Sequence, residues 1–91
     1  MEFEWNEEKR RDNIEKHGVD LLFAALVFDG DTITREDDRH DYGETRFATL
    51  GLIDDKPYVV IHTQRGERTR LISAWKGGRK EYERYKESFP G

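Results

Sequence analysis

Residues 44–74, ETRFATLGLIDDKPYVVIHTQRGERTRLISA, decide the fold, because they contain three strand-like segments separated by two turns. The β-branched and aromatic content predicts strands over Glu44–Ile53, Tyr58–Thr63 and Glu67–Ala74. Residues 54–57 carry Asp and Pro, and residues 64–66 carry Gly, which are typical of tight turns. The middle strand is almost continuously apolar, which predicts a central position in an antiparallel sheet.

Two helices are predicted before these strands. Asn6 is a good N-cap for a helix that runs to about His17, and Gly18 suits its C-terminal cap. Its apolar content is thin, mainly Ile14, with Trp5 just ahead of it, so we expect a surface helix. A second helix, capped by Asp20 and ending near Phe28, is apolar on every side, as is typical of a buried core helix.

The remaining segments complete an α+β arrangement. Thr32–Thr34 reads as a short strand, residues 35–43 as a polar loop, and Arg79 to about Glu87 as a polar helix after Gly77-Gly78. The predicted order is α-α-β-β-β-β-α, a four-stranded antiparallel sheet with the helices packed on one face. A chain of 91 residues is long enough for only one core, so residues 1–91 are expected to form a single domain.

Composition excludes several classes of protein. The chain has no Cys, and its three His residues show no zinc-ligand spacing, so we expect neither disulfides nor a metal site nor another cofactor. The N-terminal residues are mostly charged, unlike a signal peptide. The longest apolar run, residues 21–28, is far shorter than the roughly 20 residues of a membrane span. These features predict a cytoplasmic protein with no membrane partner.

Net charge alone argues against a nucleic-acid partner, but its distribution argues for one. The whole chain carries −4, whereas residues 62–80 hold six Lys or Arg residues against one acid. A locally basic strip on an acidic body can hold phosphate. The alternative is a solvated charged surface without a ligand.

Arg68 and Arg70 are the first candidates for phosphate contact. Alternation along a strand puts them on one face, followed by Ile72 and Ala74, with the two guanidinium groups about 7 Å apart. Arginine binds phosphate oxygens in a bidentate manner. The alternative is an exposed sheet face on which the arginines pair with nearby acids.

Histidines are the candidates for proton transfer. His62 ends the central strand and could act as general acid or base, the alternative being a half-buried histidine bonded to the backbone. Lys9, Asn13 and His17 recur every four residues and form one stripe on the first helix. The alternative for the stripe has Lys9 solvated, Asn13 without a role and His17 stacked at the helix end.

Trp75 and Lys76 follow the last strand. A tryptophan beside basic residues can stack on an RNA base. The alternative is a tryptophan of the hydrophobic core.

Motifs along nearly the whole chain resemble the BrnT family. They are, in order, Phe3-x-Trp5-Asn6-x-x-Lys9, Asn13-x-x-Lys16-His17-Gly18-Val19, Val27-Phe28-Asp29, Glu44-x-Arg46 leading to Gly51, Thr63-x-Arg65, Arg68-x-Arg70-x-Ile72-Ser73-Ala74, and Glu81 with Tyr85. No single motif is decisive, but their order and spacing are specific.

The resemblance implies a RelE-like fold and a toxin that cleaves RNA without a metal, as part of a type II toxin–antitoxin system. It implies a BrnA-type antitoxin as partner, which silences the toxin and joins it in repressing their operon. Operator DNA would be contacted through the antitoxin, and a toxin–antitoxin heterotetramer fits the resemblance.

On this hypothesis the site residues have distinct roles. Arg68 and Arg70 stabilise the phosphorane with Arg65 and Lys9 behind them, and His17 or His62 carries protons, the alternative being a Lys or Arg in that role. The expected RNA-binding residues are Arg65, Trp75, Lys76 and Arg79.

The chain departs from the family pattern at three places. Asn6 stands where the family usually has Asp, Trp75 where it commonly has Arg, and Gly77-Gly78 where it has an Ala-Thr-like pair. If the missing arginine contributes to catalysis, either Lys76 and Arg79 replace it or this copy is weakened. A second hypothesis is therefore an inactive binding module that acts in antitoxin binding and transcriptional repression.

Overall fold

The computed structural model describes residues 1–90; Gly91, the last residue of the predicted 1–91 domain, lies outside them. The elements within this range are β1 (Glu2–Trp5), α1 (Glu7–His17), α2 (Leu21–Ala24), a 3₁₀ helix (Ala25–Asp29), β2 (Ile33–Asp37), β3 (Arg46–Ile53), β4 (Lys56–Arg65), β5 (Arg68–Lys76) and α3 (Arg79–Ser88).

The strands form one sheet in the order β1-β5-β4-β3-β2. Strands β2 to β5 form an antiparallel meander, and β4 is the central strand of the whole sheet. The predicted meander and the predicted central strand are therefore both confirmed. The β3–β4 turn is made by Asp54 and Asp55, with φ of 51° and 61°. A two-residue hairpin turn of this hand requires positive φ at both positions, which Asp tolerates better than most residues.

The prediction of a four-stranded antiparallel sheet is wrong, because the sheet has a fifth strand that is parallel to its neighbour. Glu2–Trp5 adds a fifth strand, which runs parallel to β5 with Phe3 opposite Thr69 and Trp5 opposite Leu71. The element order is therefore β-α-α-β-β-β-β-α. A four-residue strand that pairs with the far end of the chain has no neighbouring turn to reveal it, although residues 2–5 alternate acidic and aromatic.

The prediction that all helices pack on one face is also wrong. The first two helices and the 3₁₀ helix cover the face that carries Val60 and Leu71, whereas α3 covers the opposite face, where Tyr85 packs against Val59 and Ile61. Hydroxyl groups complete this contact: Tyr85 donates to Asp31 O at 2.9 Å, and Tyr82 donates to the Asp55 carboxylate. Because α3 has almost no aliphatic side chains, its sequence did not reveal a packing face.

The predicted caps and surface position of α1 are confirmed. Asn6 Oδ1 accepts a hydrogen bond from the Lys9 backbone at 3.0 Å, and Gly18 ends the helix with φ of 69°. Ile14 is 41% exposed, while Asn13 is buried. A polar residue therefore fixes this helix to the sheet.

Four hydrogen bonds to Asn13 make up this attachment, which we call the Asn13 clamp. Its amide nitrogen donates to Val19 O at 2.9 Å and Ala74 O at 2.8 Å. Its Oδ1 accepts from Ser73 Oγ at 3.0 Å and from the Ala74 backbone N–H at 3.2 Å. Since no polar atom of the side chain is left unpaired, its burial is stabilising.

The second predicted helix is shorter and less buried than expected. It is α-helical only to Ala24 and continues as the 3₁₀ helix, and Phe23 and Leu26 are 41% and 47% exposed. The 3₁₀ helix packs so closely on β3 that a Cβ on Gly51 would lie only 2.7 Å from Val27 Cβ. Only glycine allows this approach.

Strand β2 is longer than predicted. Residues 35–37, expected in a loop, pair with β3 as far as Asp37 opposite Arg46. Because these residues are charged and have low β propensity, the sequence did not predict this part of the strand.

Asn13→Ala is expected to lower the free energy of unfolding by roughly 2–4 kcal/mol, because it leaves buried partners of the clamp unsatisfied. Urea denaturation measures the loss. Glu15→Ala, an exposed change on the same helix, is the control and should stay within about 0.5 kcal/mol of the parent protein. A loss for Asn13→Ala no larger than the control's would contradict the clamp.

Candidate RNA-binding site

A bulge in β5 determines which of its side chains share a face. The pairing shifts between Ile61 and His62, so that Ser73 lies opposite Ile61, Leu71 lies opposite His62, and Ile72 has no partner between them. Alternation is interrupted there. Ala74 therefore joins the core under α1, and its predicted position on the face of the arginine pair is wrong.

One end of β5 carries a cluster that we call the Trp75 site. The half-buried Trp75 ring lies 6.0 Å from the His17 ring, at an angle of 42°. The Arg39 guanidinium lies over the same indole, 5.7 Å from its centroid. Lys16 and Lys76 complete the lining of this open depression. An aromatic surface is thus surrounded by four basic side chains.

The end of α1 explains why basic groups gather at the Trp75 site. Gly18 stops the helix in a left-handed conformation, which leaves Lys16 and His17 in its last turn. Cations are favoured there by the partial negative charge of the helix C-terminus. The Asn13 clamp lies one turn earlier and binds Ala74, the neighbour of Trp75, so it fixes the helix end beside the indole.

Sequence reasoning missed Arg39, which it placed in a loop. Its guanidinium donates to both oxygens of Asp37, Nε at 2.7 Å and Nη2 at 3.0 Å, and Asp37 is buried at the end of β2. The hydrogen bond from Arg39 holds the pKa of the Asp37 carboxyl below its usual value. The only available signal was an acid two residues before an arginine at the end of a strand.

The other end of β5 is different, because its arginines already have acidic partners. Arg70 Nη1 lies 2.7 Å from Glu4 Oε2, and Arg68 Nε lies 3.5 Å from Glu2 Oε2. Arg65 lies 3.8 Å from Glu44, the acid just before β3. The parallel pairing of β1 with β5 brings Glu2 and Glu4 there. Pairing with nearby acids, the alternative stated for Arg68 and Arg70, is what the structure shows, but the acids themselves were not identified because strand β1 was not predicted.

His62 is a buried histidine on the face opposite Arg68 and Arg70. Its Nε2 lies 2.7 Å from Thr49 Oγ1, and the edge of its ring meets Phe28 with centroids 5.1 Å apart. Burial lowers its pKa, so the imidazole is neutral at neutral pH. The structure does not bring it together with the arginine pair.

The remaining predicted residues lie at the margins. Lys9 is exposed near the start of α1, about 12 Å along the helix from His17. Arg79 is exposed in the first turn of α3, three residues after Lys76. Of the predicted site residues, the structure brings together His17, Trp75 and Lys76 and leaves Lys9, His62, Arg65, Arg68 and Arg70 elsewhere.

Residues 1–90 lack two features of other protein classes. No helix in this range has the length and apolar character needed to cross a bilayer. Nor does the range contain three or more His, Cys, Asp or Glu side chains grouped so that they could hold a metal ion.

Comparison with known proteins identifies the family. The family model described as the ribonuclease toxin BrnT of type II toxin–antitoxin systems matches residues 5–81. The chain belongs to the BrnT toxin family. This confirms the resemblance, and membership in a type II BrnT system implies a cognate antitoxin as partner. No individually curated protein matches the chain.

His62 predicts a pH dependence of stability for this BrnT protein. Because burial lowers the pKa of the folded-state imidazole, the unfolded chain binds the proton more readily as the pH falls through about 6.5. The free energy of unfolding should therefore be lower at pH 5.5 than at pH 7.5. In His62→Gln, which can still bond Thr49, urea denaturation should show a smaller fall; an unchanged fall would mean that His62 does not cause it.

Proposed function

We propose that this BrnT protein is a metal-independent endoribonuclease toxin that binds and cleaves RNA at the Trp75 site. One observation carries the proposal: a half-buried indole lies between an imidazole and basic side chains supplied by α1, β5 and the segment after β2. Single-stranded RNA is bound by the combination of aromatic stacking and positive charge.

The chemistry needs only the RNA and these side chains. The 2′-oxygen attacks the neighbouring phosphorus, a new P–O2′ bond forms, and the P–O5′ bond breaks to leave a cyclic phosphate and a free 5′-hydroxyl. Lys16 and Lys76 stabilise the negative charge that builds up on the phosphorane. The His17 imidazole takes the proton of the 2′-hydroxyl as the P–O2′ bond forms and returns it to the 5′-oxygen as the P–O5′ bond breaks.

Ion pairing is the reason for preferring the Trp75 site to the arginine pair. A phosphate at Arg70 must displace a carboxylate held at 2.7 Å, and both of those side chains are only about one quarter exposed (26% and 25%). Among residues 1–90, Lys16, His17 and Lys76 form no ion pair within 4.0 Å. In this proposal Arg68 and Arg70 hold β1 on β5, and their assignment to phosphate remains the alternative.

The replacement of the family's usual arginine is compatible with activity. Trp75 gains a stacking surface, while positive charge comes from Lys76 beside it and from Lys16 in the same depression. The competing hypothesis, an inactive binding module, attributes the replacement to loss of catalysis.

The antitoxin is proposed to act by covering the Trp75 site. A BrnA-type partner with an acidic or amphipathic segment would neutralise the basic side chains and exclude RNA. Within the same proposal, the two proteins form a cytoplasmic complex, as a heterotetramer, that binds operator DNA through the antitoxin.

Cleavage of bulk RNA in EDTA tests the proposal, with the purified protein alone and with its antitoxin. The parent protein should cleave, and the antitoxin should stop it. His17→Ala and Lys76→Ala should each lower the rate at least tenfold, or about 1.4 kcal/mol in the activation barrier. Lys56→Ala, an exposed change at the start of β4, is the control and should cleave at the parent rate.

The double variant Arg68→Ala, Arg70→Ala separates the two site assignments. If the Trp75 site is correct, this variant unfolds at lower urea concentration but, where still folded by circular dichroism, cleaves within about threefold of the parent rate. Loss of cleavage from the folded double variant would move the site to the arginine pair. A folded parent protein that cleaves nothing would favour the binding module.

A further inference from the structure

A groove runs along the sheet face beneath α3, next to the Trp75 site. Its volume is about 230 Å³, and its floor is aliphatic, made by Ile33, Ala48, Leu50, Val59 and Ile61. Arg35, Asp37 and Arg39 line the β2 side, Glu81 and Arg84 line the α3 side, and Trp75 is the aromatic residue of the lining.

The charged rim of the groove offers specific hydrogen-bonding groups. Asp37 and Arg39 neutralise each other through their two hydrogen bonds. Arg35 and Arg84 form no ion pair within 4.0 Å among the described residues, which leaves their donors available. The rim therefore presents two arginines and one further acid, Glu81.

Glu81 is held in place by the turn before α3. Its Oε1 accepts the Gly78 backbone N–H at 2.7 Å, which leaves Oε2 without a backbone partner. Gly77 allows this arrangement, because a Cβ there would lie 2.9 Å from Glu81 Cβ. The two glycines that replace the family's usual pair thus bring a carboxylate to the groove.

The groove and the Trp75 site are continuous. Trp75 and Arg39 line both of them, so a nucleotide next to one stacked on the indole can reach the aliphatic floor. An occupant with flat apolar faces and a polar edge fits a floor and rim of this kind.

We propose that the groove binds one base of the RNA strand and that it prefers guanine; this inference rests on the proposed function. Guanine presents two acceptors, N7 and O6, which match arginine donors such as Arg84 or Arg35. It also presents N1–H and N2–H donors, which match the free oxygen of Glu81. Adenine lacks the O6 acceptor, and pyrimidines lack N7, so each of them leaves part of the rim unpaired.

Binding of non-cleavable RNA tests the groove without requiring catalysis. The probes are 2′-O-methyl pentanucleotides of uridine with guanine, adenine or cytosine at the central position, and binding is measured by fluorescence anisotropy at one fixed salt concentration. We expect the guanine probe to bind the parent protein at least fivefold more tightly than the other two. Equal affinities would overturn the proposal.

Two variants locate the preference in the groove. Glu81→Gln keeps an oxygen for the Gly78 N–H but loses the carboxylate, and Arg84→Ala removes a donor; each should reduce the guanine preference to within twofold. Lys86→Ala is the control. It removes a positive charge from nearly the opposite side of α3, because two residues along a helix correspond to a rotation of about 200°, and the variant should keep the guanine preference. A preference that survives both groove variants would overturn the proposal.

The failures of the two proposals are distinguishable. Cleavage that shows no base preference would overturn the proposal that the groove prefers guanine, but it would leave the proposed ribonuclease activity intact. A guanine preference in a protein that does not cleave RNA would support guanine binding in the groove and contradict the proposed ribonuclease activity. If Arg84→Ala weakened only the antitoxin complex and left all three RNA affinities unchanged, the groove would be a protein-binding surface and the guanine proposal would be wrong.

Discussion

A single buried amide, that of Asn13, attaches the first helix of this small protein to its sheet. The Asn13 clamp attaches α1 to β5 through three hydrogen bonds and to Val19 through a fourth, at a position where the helix has almost no apolar side chains to offer. Because it bonds the residue before Trp75 and lies one turn before His17, it also sets the distance between those two rings. The same interaction thus holds the fold and places the proposed site.

The two ends of β5 differ in how many of their basic side chains are paired with acids: Lys16, His17 and Lys76 at the Trp75 end form no ion pair among the described residues, although Arg39 there is paired with Asp37. At the Arg68 end, parallel pairing with β1 brings Glu2 and Glu4 onto the arginines and neutralises them. At the Trp75 end, the neighbours are the last turn of α1 and Arg39, and the charge is positive. A chain with a net charge of −4 can therefore present a basic surface to RNA at one end of one strand.

Local patterns revealed much of the fold, whereas long-range pairings did not. The meander, the central β4 and the caps of α1 follow from turn residues, an apolar run and capping preferences, all of which are local. The pairing of β1, the bulge at Ile72 and the burial of Asn13 depend on contacts between distant parts of the chain. His17, Trp75 and Lys76 were found from residue type, but Arg39 was missed because only the folded chain brings it over the indole.

The two tryptophans allow the central claim, that RNA binds at the Trp75 end of β5, to be tested in one titration. Trp5 pairs with Leu71, the residue after Arg70, and its indole N–H donates to Glu7, so it reports on the part of β5 that lies toward the arginine pair. The two indole N–H resonances, assigned with Trp5→Phe, are followed by NMR as a 2′-O-methyl RNA pentanucleotide is added. The account predicts that the Trp75 resonance shifts and the Trp5 resonance does not; a shift of Trp5 alone would contradict it.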